Sequence, residues 1–389
     1  MYLDKTVLNS AVTVCPYLNP FKLKGPKSRE MNSSDVNFSL LQNQPNVPAE
    51  FFWPEKDVAP SEGDLDLPII DLSGFLNGNE AETQLAAKAV REACMAHGTF
   101  LVVNHGFKSG LAEKALEISS LFFGLSKDEK LKAYRIPGNI SGYTAGHSQR
   151  FSSNLPWNET LTLAFEKGAP HVVEEFLTSR LGNDRQEIGK VFQEFCDAMN
   201  GLIMDLMELL GISMGLKDRT YYRRFFEDGS GIFRCNYYPP CKQPEKALGV
   251  GPHNDPTAIT VLLQDDVVGL EVFAGGRWQT VRPRPGALVV NVGDTFMALS
   301  NGNYKSCYHR AVVNKEKVRR SLVFFSCPRE DKIIVPPPEL VEGKEASRQY
   351  PDFTWAQLQK FTQSGYRVDN TTLHNFSSWL VSNSDKKST

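Results

Sequence analysis

Several signals that would place this chain in a specialised class of protein are missing from its sequence. The 389 residues contain 43 Lys and Arg against 45 Asp and Glu, giving a formal net charge of -2. A chain so close to neutral has no general positive field that would attract nucleic acid or anionic lipid. No apolar run reaches the roughly 18 residues that a membrane-spanning helix needs. The sequence therefore predicts neither a nucleic-acid nor a membrane partner.

Cysteine is scarce and scattered along the chain. The seven cysteines include no CxxC pair, which argues against a structural zinc site or a redox motif. Their odd number favours a reducing compartment over a disulfide framework. The N-terminus has one early lysine and an apolar patch broken by Asn9, Ser10 and Pro16, so we expect no cleaved signal peptide. We expect a cytoplasmic protein, and because no partner protein is implied, a monomer.

Changes in composition along the chain predict four regions. They are an irregular N-terminal extension (1–66), a mainly helical region (67–222), a β-rich core (223–335) and C-terminal helices with a tail (336–389). The strongest helical pattern covers residues 183–215, where apolar side chains recur every three or four positions. Asn183 and Gln186 resemble a capping box at its start, and Gly211 and Gly215 offer stops.

The β-rich region consists of short apolar runs separated by turn residues. Six or more such runs within about 95 residues predict an antiparallel sandwich or barrel such as a jelly roll, flanked by helices in an α+β fold. The sequence AGGR (274–277) is a Gly-Gly hairpin signal between two of the runs. In the C-terminal region, Thr354 and Gln357 are positioned to cap a closing helix.

Two side chains in the stretch GPHNDPT are spaced for metal binding. In extended backbone His253 and Asp255 point to the same face, whereas Asn254 points away. Taken alone, an aspartate before a proline is more typical of a turn. His309, in another strand-like run, supplies a second imidazole. Two histidines and one carboxylate suit a non-haem Fe(II) oxygenase, but a zinc hydrolase uses the same set, so these ligands alone leave both open.

A second group of polar residues distinguishes these two chemistries. Arg319 and Ser321 are also two residues apart, and they present a guanidinium group and a hydroxyl to one face, an arrangement that suits a carboxylate. Arg234, Asn236 and Tyr238 form a further same-face set. A keto acid could chelate iron while Arg319 and Ser321 bind its distal carboxylate. The combination favours iron and a keto acid over zinc and water.

On these motifs the chain resembles the plant 2-oxoglutarate- and Fe(II)-dependent dioxygenases over roughly residues 66–380. The residues that match the family's HxD, H and RxS pattern are His253, Asp255, His309, Arg319 and Ser321. Asn236 and Tyr238 match its NYYP element, which also contacts 2-oxoglutarate. The resemblance implies a double-stranded β-helix (jelly-roll) core, bound Fe(II), 2-oxoglutarate as co-substrate and ascorbate as reductant.

Within that family the pattern is most similar to the gibberellin 20-oxidases. LPWNETLT (155–162) resembles their LPWKET element, which is associated with substrate recognition, although asparagine replaces the usual lysine. The candidate substrate-binding residues are Trp157, Asn158, Glu159, Thr160, Tyr143, Arg150 and Arg234. Without the resemblance, LPWNETLT would be interpreted as a packed loop with no ligand. Asn254 lies between the two predicted ligands, where a cysteine is common in the group. We expect Asn254 to take no part in metal binding.

The resemblance also implies a reaction. Oxidative decarboxylation of 2-oxoglutarate to succinate and carbon dioxide would accompany the stepwise oxidation of C-20 in a diterpenoid acid, giving a C19 gibberellin. Alternatives in the same class are a gibberellin 3-oxidase or 2-oxidase and a flavonoid oxygenase. Alternatives in other classes are a metal-dependent hydrolase on a jelly roll and a non-catalytic protein that binds an apolar acid.

Overall fold

Strands and helices alternate along the computed structural model, which describes residues 36–147, 153–341, 347–363 and 370–385. The strands of these residues are β1 (Ile69–Asp71), β2 (Thr99–Val103), β3 (Gly142–Ala145), β4 (Glu159–Glu166), β5 (Ser230–Tyr238), β6 (Leu248–His253), β7 (Ile259–Gln264), β8 (Leu270–Ala274), β9 (Arg277–Val281), β10 (Leu288–Val292), β11 (His309–Val312), β12 (Arg319–Cys327), β13 (Ile333–Ile334) and β14 (Phe353–Thr354).

The α-helices of the same residues surround these strands. They are α1 (Phe38–Leu41), α2 (Glu55–Val58), α3 (Ser73–Leu76), α4 (Glu80–Ala96), α5 (Leu111–Phe123), α6 (Lys127–Leu131), α7 (Val172–Leu181), α8 (Gln186–Ser213), α9 (Tyr221–Phe225), α10 (Asp294–Leu299), α11 (Trp355–Gln363) and α12 (Thr372–Asp385). None of the described helices is both long and apolar enough to cross a membrane.

Two sheets form the jelly-roll core that the sequence predicted. The larger has eight strands in the order β1-β2-β10-β7-β12-β5-β4-β3, and the smaller has the order β6-β11-β8-β9. All of their pairings are antiparallel except β1 with β2. The predicted hairpin joins β8 to β9, where Gly275 and Gly276 have φ values of +60° and +81°. Glycine adopts such left-handed conformations without the steric cost that a side chain would add, which is why both turn positions suit glycine.

Helix α8 is the main support of the larger sheet. Its apolar stripe is buried, and Phe192 and Phe195 pack their rings against Phe233 of β5. The core therefore runs across the predicted boundary between residues 222 and 223. The capping box predicted at Asn183 is wrong, because a short 3-10 turn over Asn183–Arg185 precedes the helix and no side chain caps it. Gly211 lies inside α8 against the Arg219 carbonyl rather than stopping it.

The chain ends follow two different patterns. The described part of the N-terminal extension is largely irregular, yet Phe38 and Phe51 are buried against the Trp157 ring. This described part of the extension is therefore packed onto the body of the protein. At the other end, Thr354 and Gln357 form the predicted capping box, in which the backbone N–H of each residue donates to the side-chain oxygen of the other.

Candidate metal centre and adjoining cavities

Three candidate ligands meet where strands β6 and β11 pair. His253 is the last residue of β6 and His309 the first of β11, and the two lie directly opposite each other in the ladder. Asp255 follows two residues after β6 and is buried. One ligand atom from each of the three side chains lies within 4.8 Å of the other two. The structure thus brings together the residues that the HxD and H motifs predicted.

Backbone carbonyl groups orient the two imidazole rings. The Nδ1 atom of His253 lies 2.8 Å from the Gly251 oxygen, and that of His309 lies 3.0 Å from the Cys307 oxygen. Since a carbonyl can only accept, each Nδ1 carries the proton and each Nε2 presents a lone pair. These Nε2 atoms lie 3.5 Å and 4.0 Å from the Asp255 carboxylate oxygens. Both rings therefore direct a metal-binding atom toward the carboxylate.

The electrostatics keep these groups in their metal-binding forms. Burial favours the protonated carboxyl of Asp255, but His309, His253 and a 2.6 Å hydrogen bond from Thr260 outweigh it and lower the pKa well below its usual range. Burial and the neighbouring His253 lower the pKa of His309 to about 4. Near neutral pH, Asp255 is therefore an anion and His309 a neutral base, the forms that bind a divalent metal. The donor set fits Fe(II).

A small cavity of about 70 Å³ adjoins these ligands. Residues from both sheets line it, so it lies between them. The pairing of β5 with β12 places Arg319 opposite Tyr238 and Ser321 opposite Asn236. All four side chains line the cavity, as do the three candidate ligands.

Arg319 dominates the chemistry of the small cavity. The side chain is 1% exposed, its guanidinium group lies 5.1 Å from the centre of the Tyr238 ring, and one nitrogen donates to Gln264 over 3.1 Å. Its Nε atom is buried and has no hydrogen-bond partner among the described residues. Asn236 donates to the Ser321 hydroxyl over 3.2 Å. A buried cation with an unsatisfied donor, beside a hydroxyl, fits the distal carboxylate of a keto acid.

A larger cavity of about 310 Å³ also adjoins the candidate metal ligands. Its walls include His253 and Asp255, together with two of the predicted substrate-binding residues, Asn158 and Arg234. Other polar and aromatic residues of its wall include Trp53, Arg135, His147, Asn154, Trp355 and Gln359. Sequence reasoning missed these residues because they come from the N-terminal extension, separate loops and helix α11.

Trp53 forms an aromatic part of this wall, and it packs on the strand that ends at His253. A β-carbon added to Gly251 would lie 2.0 Å from the Trp53 ring. The indole nitrogen donates to the Leu155 carbonyl over 3.2 Å, and the backbone N–H donates to the Lys246 carbonyl over 2.9 Å. The glycine therefore allows the N-terminal extension to lie directly against β6.

Most of the predicted substrate-binding residues are in the protein interior. The Trp157 indole donates to the Pro239 carbonyl, and the Thr160 hydroxyl lies 2.9 Å from that of Thr144. Tyr143 donates to the Glu159 carboxylate over 2.5 Å. None of Trp157, Thr160, Tyr143 and Glu159 lines either cavity. Their hydrogen bonds are made within the protein interior, as in a packed loop. Arg150 lies outside the described residues.

Asn158 and Asn254 both line the larger cavity and are both buried. The Asn158 amide donates to the Gly249 carbonyl over 2.9 Å, which ties β4 to β6. The Asn254 amide donates to the Ser306 hydroxyl over 2.8 Å. This bond turns the Asn254 side chain toward the loop before β11, as expected for a residue that is not a metal ligand.

Arg310, immediately after His309, is a structural residue that the motifs did not reveal. Its side chain is 1% exposed, forms an ion pair with Glu271 at 2.5 Å and stacks 4.3 Å from the centre of the Trp278 ring. It also donates to the Asp57 carbonyl over 2.6 Å. Because adjacent strand residues face opposite ways, this anchoring fixes β11 while leaving His309 directed inward.

Comparison with known families gives two matches. Residues 229–328 match the 2OG-Fe(II) oxygenase superfamily, and residues 67–179 match the family described as the non-haem dioxygenase in morphine synthesis N-terminal. The first match contains all three candidate metal ligands together with Asn236, Tyr238, Arg319 and Ser321 of the small cavity. The second covers the region before α8.

Individual relatives agree with these matches. The chain is 95% identical to gibberellin 20 oxidase 5 of Arabidopsis thaliana over 380 residues, covering 98% of this chain and 99% of that protein. It is 51% identical to gibberellin 20 oxidase 2 of Oryza sativa subsp. japonica over 343 residues, covering 88% and 87% of the two chains. Among solved structures, JOX2 in complex with 2OG, Fe and JA is 32% identical, with a TM-score of 0.76 and coverage of 88% and 97%.

Proposed function

The chain belongs to the gibberellin 20 oxidases of the 2OG-Fe(II) oxygenase superfamily, and from this premise we propose that it oxidises C-20 of C20 gibberellin precursors stepwise to give C19 gibberellins. It is a dioxygenase that uses Fe(II) and 2-oxoglutarate, with ascorbate as the usual reductant. The observation that carries the proposal is the cluster of His253, Asp255 and His309, which borders both a small cationic cavity and a larger apolar one.

We assign the metal to that cluster. Two Nε2 atoms and one carboxylate would hold Fe(II) and leave its other positions for co-substrate and dioxygen. The bound iron supplies the activation of dioxygen, which is coupled to the oxidative decarboxylation of 2-oxoglutarate. The chain's own contribution is orientation: the Gly251 and Cys307 carbonyls fix the rings, and Thr260 fixes the carboxylate.

The small cavity is assigned to 2-oxoglutarate. Arg319 would pair with the distal carboxylate, using the Nε atom that has no partner within the described structure, and Ser321 would donate its hydroxyl. Asn236 orients that hydroxyl, and the Tyr238 ring packs against the guanidinium group. These contacts would hold the keto-acid end of the co-substrate toward the candidate metal ligands.

The larger cavity is assigned to the gibberellin precursor. Its apolar area suits a fused ring system, and Arg234 offers a cation to a carboxylate of the substrate. Asn158 is assigned to the wall at the start of β4, and Trp53 closes the wall over Gly251. An apolar wall beside the reacting carbon also keeps bulk water away from it.

We further propose that the enzyme works as a monomer in the cytoplasm. One chain supplies the three candidate ligands and both cavities, so no second copy is needed to complete the site. The six cysteines within the described residues are buried free thiols, which supports a reducing compartment. Sedimentation of the purified protein and the distribution of a tagged chain in plant cells test the two statements.

Incubation with Fe(II), ascorbate, 2-oxoglutarate and a panel of gibberellin precursors, followed by mass spectrometry, tests the function. We expect consumption of C20 precursors with loss of C-20 and matched formation of succinate, and no reaction when 2-oxoglutarate is omitted. Consumption of only C19 gibberellins would indicate a 3-oxidase or 2-oxidase, and consumption of only flavanones a flavonoid oxygenase. Binding without succinate formation would indicate a non-catalytic protein.

A further inference from the structure

Two arginines line the larger cavity, Arg234 from strand β5 and Arg135 from the loop before β3. Arg234 of β5 lies opposite Thr162 of β4, and Thr162 lies opposite Gly142 of β3. Directly opposed residues in antiparallel strands point to the same face, and the Arg234 Nε atom donates to the Thr162 hydroxyl over 3.3 Å. The three positions therefore form a row across the sheet.

Arg135, in the loop between α6 and β3, lies at the end of this row. A β-carbon added to Gly142 would be 2.4 Å from the Arg135 Cα, so the arginine backbone sits directly on that glycine. Gly142 also has a φ of +139°, which favours glycine. With about 4.8 Å between adjacent strands, Arg135 and Arg234 are roughly 10 Å apart along the row. Both line the same cavity.

Apolar side chains form part of the wall beside these two cations. Ile232, Val250 and Phe325 line the cavity together with Arg135 and Arg234. Such a cavity is complementary to a rigid apolar body with an anionic group toward each arginine. We propose that Arg135 is a further specificity-determining residue, which binds one carboxylate of a diterpenoid diacid while Arg234 binds the other. This assignment rests on the proposed function, which supplies the diterpenoid acid.

A buried charged cluster holds Arg135 in place. The Lys130 ammonium group lies 2.5 Å from the Glu159 carboxylate, and both side chains are almost fully buried. Tyr143 donates its hydroxyl to the same carboxylate. Burial and the nearby Glu159 raise the pKa of Tyr143 well above its usual value, so the phenol remains a donor. The Lys130–Glu159–Tyr143 cluster thus links α6, β3 and β4.

The backbone of Tyr143 transmits this link to Arg135. Its N–H donates to the Ala133 carbonyl over 2.7 Å, and its carbonyl accepts from the Arg135 N–H over 3.0 Å. The acidic residue of LPWNET is therefore a positioning residue: it orders the loop that presents Arg135. Glu159 would thus contribute to substrate recognition through Arg135, without contacting the substrate itself.

The test measures binding of a C20 dicarboxylic precursor and of each of its two monomethyl esters to the Fe(II)- and 2-oxoglutarate-loaded enzyme under anaerobic conditions. We expect Arg135→Gln to weaken binding of the diacid about 10- to 100-fold, as for a lost charge-assisted hydrogen bond. One monoester, which lacks the carboxylate that Arg135 contacts, should bind Arg135→Gln and wild type equally. Arg284→Gln, at an exposed turn, is the matched control and should match wild type throughout.

Tyr143→Phe tests the positioning role without leaving a buried charge unpaired. We expect a smaller loss for the diacid, about 3- to 10-fold, none for the monoester that is insensitive to Arg135, and none when Arg135→Gln is already present. Equal losses for the diacid and both monoesters would show a general structural effect and overturn the positioning role. A thermal midpoint measured for each variant confirms that the compared proteins are folded.

The wild-type results and the variant results answer different questions. If wild type neither binds nor consumes any C20 precursor, the proposed function fails and this assignment fails with it. If wild type binds and consumes the diacid but Arg135→Gln retains wild-type affinity, or loses affinity equally for all three ligands, only the arginine assignment is overturned.

Discussion

The two cavities beside the candidate metal centre are built in different ways. Every residue lining the small cavity lies between Arg234 and Phe325, on or next to strands of the two facing sheets. The larger cavity takes its walls from residues as far apart as Trp53 and Gln363, including the N-terminal extension, two loops and helix α11. The residues assigned to 2-oxoglutarate therefore come from one part of the sequence, whereas those assigned to the gibberellin precursor come from several distant parts.

This difference has a physical basis. The alternation of side chains along a strand fixes which residues share a face, so spacings of two residues suffice to gather ligands on paired strands. A cavity that must enclose a large apolar body needs walls on several sides, and no single element supplies them. The comparison predicts that substitutions of residues lining only the small cavity affect the co-substrate, and that those of residues lining only the larger cavity affect the gibberellin precursor.

The largest effect is expected from His309→Ala, because it should disable both regions together. Loss of one of three ligands should reduce Fe(II) binding at least 100-fold and abolish turnover of every substrate. Metal content per chain and succinate formation measure this outcome. His171→Ala, at the exposed start of α7, is the control. Normal iron content in His309→Ala would contradict the ligand assignment.

Arg319→Ala should affect the small cavity alone. Removing a buried charge-assisted contact with a carboxylate costs about 2–3 kcal/mol, so the KM for 2-oxoglutarate should rise roughly 30- to 150-fold. The Kd for the gibberellin precursor, measured at saturating 2-oxoglutarate, should change little. An unaltered 2-oxoglutarate requirement would show that another residue binds the distal carboxylate.

The iron-free protein should become less stable in acid because His309 is buried in its neutral form. Its pKa is about 4 in the folded protein against an ordinary value of 6.5, so the unfolded chain binds a proton first as the pH falls. The free energy of unfolding should therefore decrease between pH 6.5 and 4, by at most about 3 kcal/mol from this group. Denaturant titrations with a chelator present measure it. A His309→Gln protein with the same pH dependence would refute this origin.

Trp53→Ala should affect the gibberellin precursor and leave 2-oxoglutarate unaffected, whereas Arg319→Ala should do the opposite. Loss of the aromatic wall over Gly251 should raise the KM for the gibberellin precursor about 10-fold, since a large contact surface is removed. The KM for 2-oxoglutarate should stay near the wild-type value, because Trp53 does not line the small cavity. Trp379→Ala, on the partly exposed α12, is the matched control. A change confined to the 2-oxoglutarate KM would break the division between the cavities.

Asn254→Cys should have the smallest effect. The Asn254 amide bonds to Ser306, so its replacement should leave Fe(II) binding and the 2-oxoglutarate requirement within about twofold of wild type. Metal titration followed by steady-state kinetics measures both. A marked loss of iron affinity would mean that the residue between His253 and Asp255 supports the metal after all.

Sequence patterns predicted those parts of the fold that depend on local periodicity or local turns. The hairpin at Gly275 and Gly276, the Thr354 capping box and the long helix α8 are confirmed. The Asn183 capping box failed because a 3-10 turn takes that position. The apolar run LPIIDLSGFL (67–76) is a pattern that predicts one buried strand, but it divides into the short β1 and helix α3. Boundaries depend on tertiary packing more than on the pattern of a single segment.

By itself, the sequence determined which residues can carry the chemistry: an HxD pair in a stretch taken as extended, a second histidine and an RxS pair on predicted strands, and a jelly-roll core to join them. Only the tertiary structure decided which residues surround the substrate. It placed Trp157, Glu159 and Thr160 in the interior, and brought Trp53 and Arg135 to the larger cavity. The reason is that strand alternation is a local rule, whereas a cavity wall is formed by segments that meet only in the folded chain.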